Sequence, residues 1–313
     1  MESGFERARR LLAAHFGPTR LVPAPSLGRA DRDVYLKLES ELPTGSFKVR
    51  GALYSLSVNL ERRALGEIVA ASTGNHGAAV AYAARLLGLR ATIFVPEHPN
   101  PVKAGRIAEL GAQLVEGGKD LAEAIDRART YAAEHHAFLL EDASDPDIPI
   151  GAATIALETL DQLPSTDAIY VPVGDTALVR GLAAAAKPRR PGIRIVGVQA
   201  TRAPAYAMSW REGTVVVTHV ADTIADGLAV RRPLPENVAA IRGLVDDMRL
   251  VTDEQLKSAI GFLAAREQVV AEPAGAAAAA ALLSEPPDQA KGTIVLIVSG
   301  SNIAPDLECG VQK

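Results

Sequence analysis

At 313 residues the chain exceeds the usual size of one domain, so one large core or two interleaved ones are expected. Hydrophobic residues at 48% and charged residues at 22% make a globular composition, which excludes disorder as the default. A net charge of -4 with dispersed basic residues excludes a nucleic-acid footprint, and the most apolar run, residues 274–283, is too short and too alanine-rich to cross a bilayer.

Residues 34–38 read as the first strand. A turn with Pro43, Gly45 and Ser46 follows and passes through Phe47 into a helix that begins near Lys48. The run at 68–71 is a second strand, and Ser72-Thr73-Gly74-Asn75-His76-Gly77 turns it into a helix carrying Val80, Ala83, Ala84 and Leu87. Short β-rich runs at 91–95, 113–115 and 138–140 then alternate with helical segments. After the strand at 168–171, Gly174-Asp175-Thr176-Ala177-Leu178 opens a helix continued by Val179, Leu182, Ala183 and Ala186. A strand at 193–198 precedes Thr252-Asp253-Glu254-Gln255, which fits a capping box for a helix with Leu256, Ile260, Leu263 and Ala264. The last strand, 293–298, runs into Ser299-Gly300-Ser301-Asn302.

Strands alternating with helices predict an α/β protein of open, mostly parallel sheets covered by helices on both faces. In such sheets ligands gather beyond the carboxyl ends of strands, where helix N-termini present unpaired amides. The turns at 72–77, 174–178 and 299–302 occupy three such positions. The first suits a carboxylate, with the Asn75 amide able to donate to a phenolic oxygen. The second can cradle a phosphate in successive amides, provided Asp175 turns away, for instance to cap the following helix. The third offers a serine hydroxyl, Ser299, to a neutral pyridine nitrogen. Taken singly, each also reads as an ordinary capped turn.

Lys48 is an ordinary surface lysine unless it is held against an aromatic ring at a buried turn, where it can lose its proton and attack an aldehyde. His76 lies in a candidate loop, while the remaining histidines show no metal-ligand spacing. The only cysteine, Cys309, cannot form an intrachain disulfide or a thiolate metal site. The N-terminal residues lack the basic-then-apolar order of a secretion signal, so a cytoplasmic protein is expected.

Taken together these segments resemble the fold-type-II family of pyridoxal-phosphate enzymes, in its serine/threonine dehydratase and serine racemase branch. Lys37-Leu38-Glu39 followed by residues 43–52, Pro-Thr-Gly-Ser-Phe-Lys-Val-Arg-Gly-Ala, is similar to the family's reactive-lysine motif. The loop at 72–77, residues 151–158, 224–228 and 272–276 match in order and spacing. The resemblance implies two interleaved domains, a large cofactor-binding one from 1–56 plus 146–313 and a small substrate-clamping one from 57–145. It implies pyridoxal 5'-phosphate held by Phe47, Lys48, Asn75, Gly174, Asp175, Thr176, Ala177, Leu178 and Ser299. Substrate would be bound by Ser72, Thr73, Gly74, Asn75 and His76, with Lys48 and Thr73 as the catalytic groups. The implied reaction is α,β-elimination of a small 3-hydroxy amino acid, such as threonine or serine, to a 2-oxo acid and ammonia, by a homodimer. A racemase or a specialised hydroxyamino-acid lyase of the same fold is the alternative, and a non-catalytic binding protein is the alternative from another class.

The chain departs from that pattern in several places. Gly174-Asp175-Thr176-Ala177 stands where the branch usually has a run of glycines, and residues 199–205 lack the acidic residues of relatives with a cation site, so no metal is expected. Thr73 stands where racemases carry serine and simple dehydratases often alanine. Gly151-Ala152-Ala153-Thr154 and Ser299-Gly300-Ser301-Asn302 replace Gly-Gln-Gly-Thr and Ser-Gly-Gly-Asn. The few residues after Asn302 imply no C-terminal regulatory domain.

Overall fold

The computed structural model describes residues 4–286 and 289–303, and Cys309 lies outside them. Ten strands run in chain order: β1 (Leu21–Pro23), β2 (Arg32–Leu38), β3 (Glu67–Ala71), β4 (Arg90–Val95), β5 (Gln113–Glu116), β6 (Phe138–Leu139), β7 (Ala168–Pro172), β8 (Arg194–Ala200), β9 (Asp247–Val251) and β10 (Gly292–Val298). The α-helices of the described residues are α1 (Gly4–Ala13), α2 (Lys48–Arg62), α3 (Asn75–Leu86), α4 (Pro101–Glu109), α5 (Leu121–Glu134), α6 (Ile148–Gln162), α7 (Ala177–Arg189), α8 (Ala205–Glu212), α9 (Pro235–Leu244), α10 (Asp253–Phe262) and α11 (Pro273–Ser284).

The chain divides into two compact units, Met1–Phe16 with Phe47–Gly151 and Gly17–Ser46 with Ala152–Lys313. The first carries a parallel sheet in the order β5-β4-β3-β6. The second carries a six-stranded sheet in the order β1-β2-β10-β7-β8-β9, parallel except for the β1–β2 pair. These boundaries differ from the expected 1–56 plus 146–313 and 57–145. The reason is α2, which packs along α3 and α1. A Cβ on Gly51 of α2 would lie 2.7 Å from Ile148 Cγ2 at the start of α6, so α2 and the chain as far as Gly151 belong with the smaller sheet.

All eight strands expected from the sequence form, within a residue or two at their ends. The two that the pattern missed, β1 and β9, are the edges of the larger sheet. An edge strand is half exposed and tolerates Pro23 or the charges of Asp247 and Arg249, which break the apolar run that marks a buried strand. In the larger unit the core is layered on α11, whose residues 273–282 are all buried. Its alanines let the helix lie close against β7, β8, β9 and β10, and a helix that is apolar all round is a buried helix. The smaller unit is filled by Val69, Phe94, Ala124, Ala128 and Ala132 between its sheet and α5. The expected capping box is present: Thr252 Oγ1 accepts from Gln255 N–H at 3.2 Å, and the Gln255 side chain accepts from Thr252 N–H at 2.8 Å. No described helix is long and apolar enough to cross a membrane.

Candidate active site

In the smaller unit, β3 and β6 are neighbouring parallel strands with Val69 opposite Leu139, so the segments that leave their carboxyl ends emerge side by side. One is the turn at 72–77. Ser72 N–H donates to Phe94 O (3.1 Å) and Gly74 N–H to Ser72 Oγ (3.2 Å), which folds the turn back on itself at the head of α3. The first bond of the helix is Ala78 N–H to Gly74 O, 3.2 Å, so the amides of Asn75, His76 and Gly77 have no acceptor within the helix. They form the positive helix end that the sequence pattern anticipates. Ser72, Thr73, Gly74 and Asn75 are half-buried, and the Ser72 hydroxyl oxygen accepts from the turn's own Gly74 N–H.

Lys48 is the first residue of α2, with Phe47 as its N-cap. Its Nζ lies 5.1 Å from the centre of the buried Phe47 ring, the aromatic setting that distinguishes it from a surface lysine. The ammonium makes an ion pair with Asp142, in the segment after β6, and the two side chains are 13% and 15% exposed. At that burial the pair is largely shielded from water, and removing one member takes a close counter-charge from the other. His76 completes the group. Its Nε2 lies 3.0 Å from Leu140 O, an acceptor only, so Nε2 carries the proton, and Nδ1 lies 3.7 Å from Asp142 Oδ1. Leu140 is itself fixed by its N–H to Val69 O (2.8 Å). Further along the segment, Asp145 caps α6 through the amides of Asp147 and Ile148 and accepts from Ser55 Oγ. Burial holds the Asp145 carboxyl above the usual carboxylate range against those hydrogen bonds.

In the larger unit the turn after β7 has a different construction. A Cβ on Gly174 would lie 2.1 Å from Gly227 O, so only glycine allows the backbones of 174–178 and 224–228 to approach this closely. Thr176 sits at φ +79°, a left-handed conformation that a β-branched residue adopts at a cost of roughly 1–2 kcal/mol. Thr176 therefore holds a backbone conformation that glycine favours. Asp175, one residue before the N-cap Thr176, accepts through Oδ1 from Ala177 N–H, the first amide of α7, at 3.0 Å. Two residues not anticipated from the pattern brace the turn. Arg180 Nε donates to Thr176 Oγ1 (3.0 Å), and Asn237 Nδ2 donates to the Asp175 carbonyl (3.3 Å).

Ser299 ends β10 and is buried. The turn that follows is tied to residues 44–46 by Ser301 N–H to Gly45 O (2.9 Å) and Asn302 Nδ2 to Thr44 O (2.9 Å). Glu272 N–H donates to Gly300 O (3.0 Å) at the head of α11. Lys37, which precedes the reactive-lysine motif, is fully buried in this unit and donates to Glu158 Oε2 (2.8 Å) and Thr19 O (2.7 Å). It is a structural lysine. Among the described residues no cluster of three His, Cys, Asp or Glu side chains could hold a metal ion.

Of the expected site residues, the structure brings Phe47, Lys48, Ser72, Thr73, Gly74, Asn75 and His76 to the strand ends of the smaller unit, and Gly174, Asp175, Thr176, Ala177, Leu178 and Ser299 to those of the larger. Asp142 was not anticipated. Its position after the short β6 is the one local signal, and only the β3–β6 pairing gives it meaning.

The family model described as pyridoxal-phosphate dependent enzyme matches residues 12–300. An L-threonine ammonia-lyase of Geobacter sulfurreducens is 38% identical over 271 residues, 86% of this chain and 67% of that protein. An L-threo-3-hydroxyaspartate ammonia-lyase of Saccharomyces cerevisiae is 34% identical over 276 residues, covering 88% of this chain and 84% of the relative. The structure of maize serine racemase superposes with a TM-score of 0.92 at 28% identity, over 98% of this chain and 94% of that one.

Proposed function

This chain belongs to the family of pyridoxal-phosphate-dependent enzymes, and from that premise we propose that it is an ammonia-lyase that eliminates water from a small 3-hydroxy amino acid, threonine and serine first, to give a 2-oxo acid and ammonia. The observation that carries the reading is Lys48, half-shielded beside the Phe47 ring next to a helix end suited to a carboxylate. The residues present fit the cofactor. The turn at 174–178 opens α7 with amides able to cradle a phosphate, its Gly174 packed so closely on Gly227 O that a Cβ would not fit, and Ser299 offers a buried hydroxyl rather than an acid.

Pyridoxal phosphate supplies, when bound, an aldehyde for the substrate amine and a ring that takes up the charge left when the Cα proton departs. Lys48 Nζ would hold the aldehyde carbon and, once released by the substrate amine, accept the Cα proton as general base. Asn75 would donate to the ring oxygen and Ser299 to the ring nitrogen. Because a serine does not protonate that nitrogen as a carboxylic acid would, the charge is delocalised less, which suits elimination. The amides of Leu178 and its neighbours would hold the phosphate, with Arg180 supplying positive charge through Thr176. The amides at the head of α3 would hold the substrate carboxylate.

Purified protein incubated with L-threonine or L-serine should release equal amounts of 2-oxo acid and ammonia. A yellow protein that releases neither from any 3-hydroxy amino acid contradicts the proposal. Racemisation is the second reading, supported by the likeness to maize serine racemase and by the half-buried Thr73 on the loop. D-serine accumulating ahead of pyruvate would favour it.

A further inference from the structure

We infer that Asp142 determines which substrate side chains are accepted: it selects amino acids whose β-substituent donates a hydrogen bond or carries positive charge, and it rejects those bearing a second carboxylate. The inference rests on the lyase reading for the role of Lys48. Its physical basis lies wholly within the smaller unit.

The parallel pairing of β3 and β6 brings the segment containing Asp142 beside the turn at 72–77. The Asp142 carboxylate touches Lys48 Nζ through one oxygen, and its other oxygen lies 3.7 Å from His76 Nδ1. A base that takes a Cα proton has to approach within about 3 Å of it. Whatever touches Lys48 Nζ is then within reach of the substituent on Cβ. The α-carboxylate is accommodated separately, by the amides at the head of α3. The smaller unit thus offers an anion-binding helix end and, next to it, a carboxylate that can only accept hydrogen bonds.

A β-hydroxyl can donate to Asp142. A β-ammonium can pair with it and take the place of the Lys48 ammonium as its counter-charge. A β-carboxylate would lie within about 5 Å of a like charge in a half-shielded setting, where repulsion is worth a factor of roughly 30 or more in binding. The accepted class is therefore 3-hydroxy and 2,3-diamino monocarboxylic acids. This separates the chain from its yeast relative, named for L-threo-3-hydroxyaspartate, despite 34% identity.

The test compares holoenzyme of the wild type with Asp142→Asn. Ammonia release is measured with L-serine, L-2,3-diaminopropionate and L-threo-3-hydroxyaspartate, and the visible spectrum is titrated with two non-eliminating amino acids, L-alanine and L-aspartate. The wild type should favour serine over 3-hydroxyaspartate by at least about 30-fold in kcat/KM and bind alanine more tightly than aspartate. Asp142→Asn should shrink both ratios about tenfold, whatever it does to the absolute rates through Lys48. Equal use of serine and 3-hydroxyaspartate by the wild type, or ratios unmoved in the variant, overturns the assignment while leaving the lyase reading standing. No ammonia from any compound removes the lyase reading instead, and the alanine-to-aspartate ratio then decides for or against Asp142. If Asp142→Asn does not fold, Asp142→Ser is read by the same ratios.

Discussion

The strand-end turns of the two units are built on opposite plans. In the smaller unit, side chains meet side chains: Lys48 on Asp142, and His76 beside the same carboxylate. In the larger unit, backbone meets backbone: Gly174 against Gly227 and the 299–302 turn against residues 44–46, with Arg180 and Asn237 as outer braces. The first arrangement is the one proposed to move protons and to tell substrates apart. The second can hold a group still, and its tolerance is set by space rather than by charge. On that contrast, changes at Asp175 or Thr176 should act through the space in the turn, and changes at Lys48 or Asp142 through the chemistry.

Breaking the chemical half should have the largest effect. Lys48→Ala removes the proposed base and the anchor for the aldehyde, and ammonia release should fall by about 10³-fold or more. The variant takes from the largely shielded Asp142 carboxylate its Lys48 counter-charge, so it should also unfold at a lower denaturant concentration. Restoring stability with the double variant Lys48→Ala/Asp142→Ala, without restoring activity, would separate the two consequences. A Lys48→Ala enzyme with near-normal turnover breaks the comparison at its root.

Next comes the holding half. Gly174→Ala places a Cβ where 2.1 Å separates it from Gly227 O, and neither backbone can yield cheaply. A stability loss of about 1–3 kcal/mol is expected together with weaker retention of cofactor on gel filtration. Thr176→Gly should contrast with it. Relief of the left-handed strain is offset by added chain entropy and by loss of the Arg180 hydrogen bond, so the net change should stay within about 1 kcal/mol. If these two variants behave alike in chemical denaturation, the turn is not governed by space.

The smallest effect concerns the segment that joins the two plans in sequence. Burial raises the Asp145 carboxyl above its unfolded value, so its favourable contribution is complete below the ordinary carboxylate range and is lost as pH rises through the raised value. Asp145→Asn keeps an oxygen for the amides of Asp147 and Ile148 but cannot ionise. As pH rises through that raised value the wild type should lose stability relative to the variant. Denaturant midpoints of both proteins at three pH values check this, and parallel pH profiles would count against it.

Much of this organisation was legible in the sequence because buried parallel strands leave an unbroken apolar signature and the turns after them stand out as polar interruptions. The edge strands β1 and β9 lack that signature, since water rather than packing satisfies their outer faces. Lys48, Asn75 and Ser299 are expected from the turns around them. Asp142 was passed over because β6 is only two residues long and the segment after it, Glu141-Asp142-Ala143-Ser144-Asp145, reads as a solvated acidic loop. Its meaning comes from the β3–β6 pairing, a contact between residues some seventy positions apart in the chain that no local pattern encodes. Arg180 was invisible for a similar reason: one turn into a helix it reads as an exposed charge, and only the backward reach to Thr176 gives it a place at the turn.

The central claim is that Lys48, and not the buried Lys37, is the lysine that carries the cofactor. Borohydride reduction of the yellow holoenzyme followed by peptide mapping tests it directly. The account predicts a single reduced pyridoxyl adduct on the peptide containing Phe47 and Lys48; an adduct on Lys37 or on any other lysine, or the absence of an adduct from a coloured protein, would contradict it.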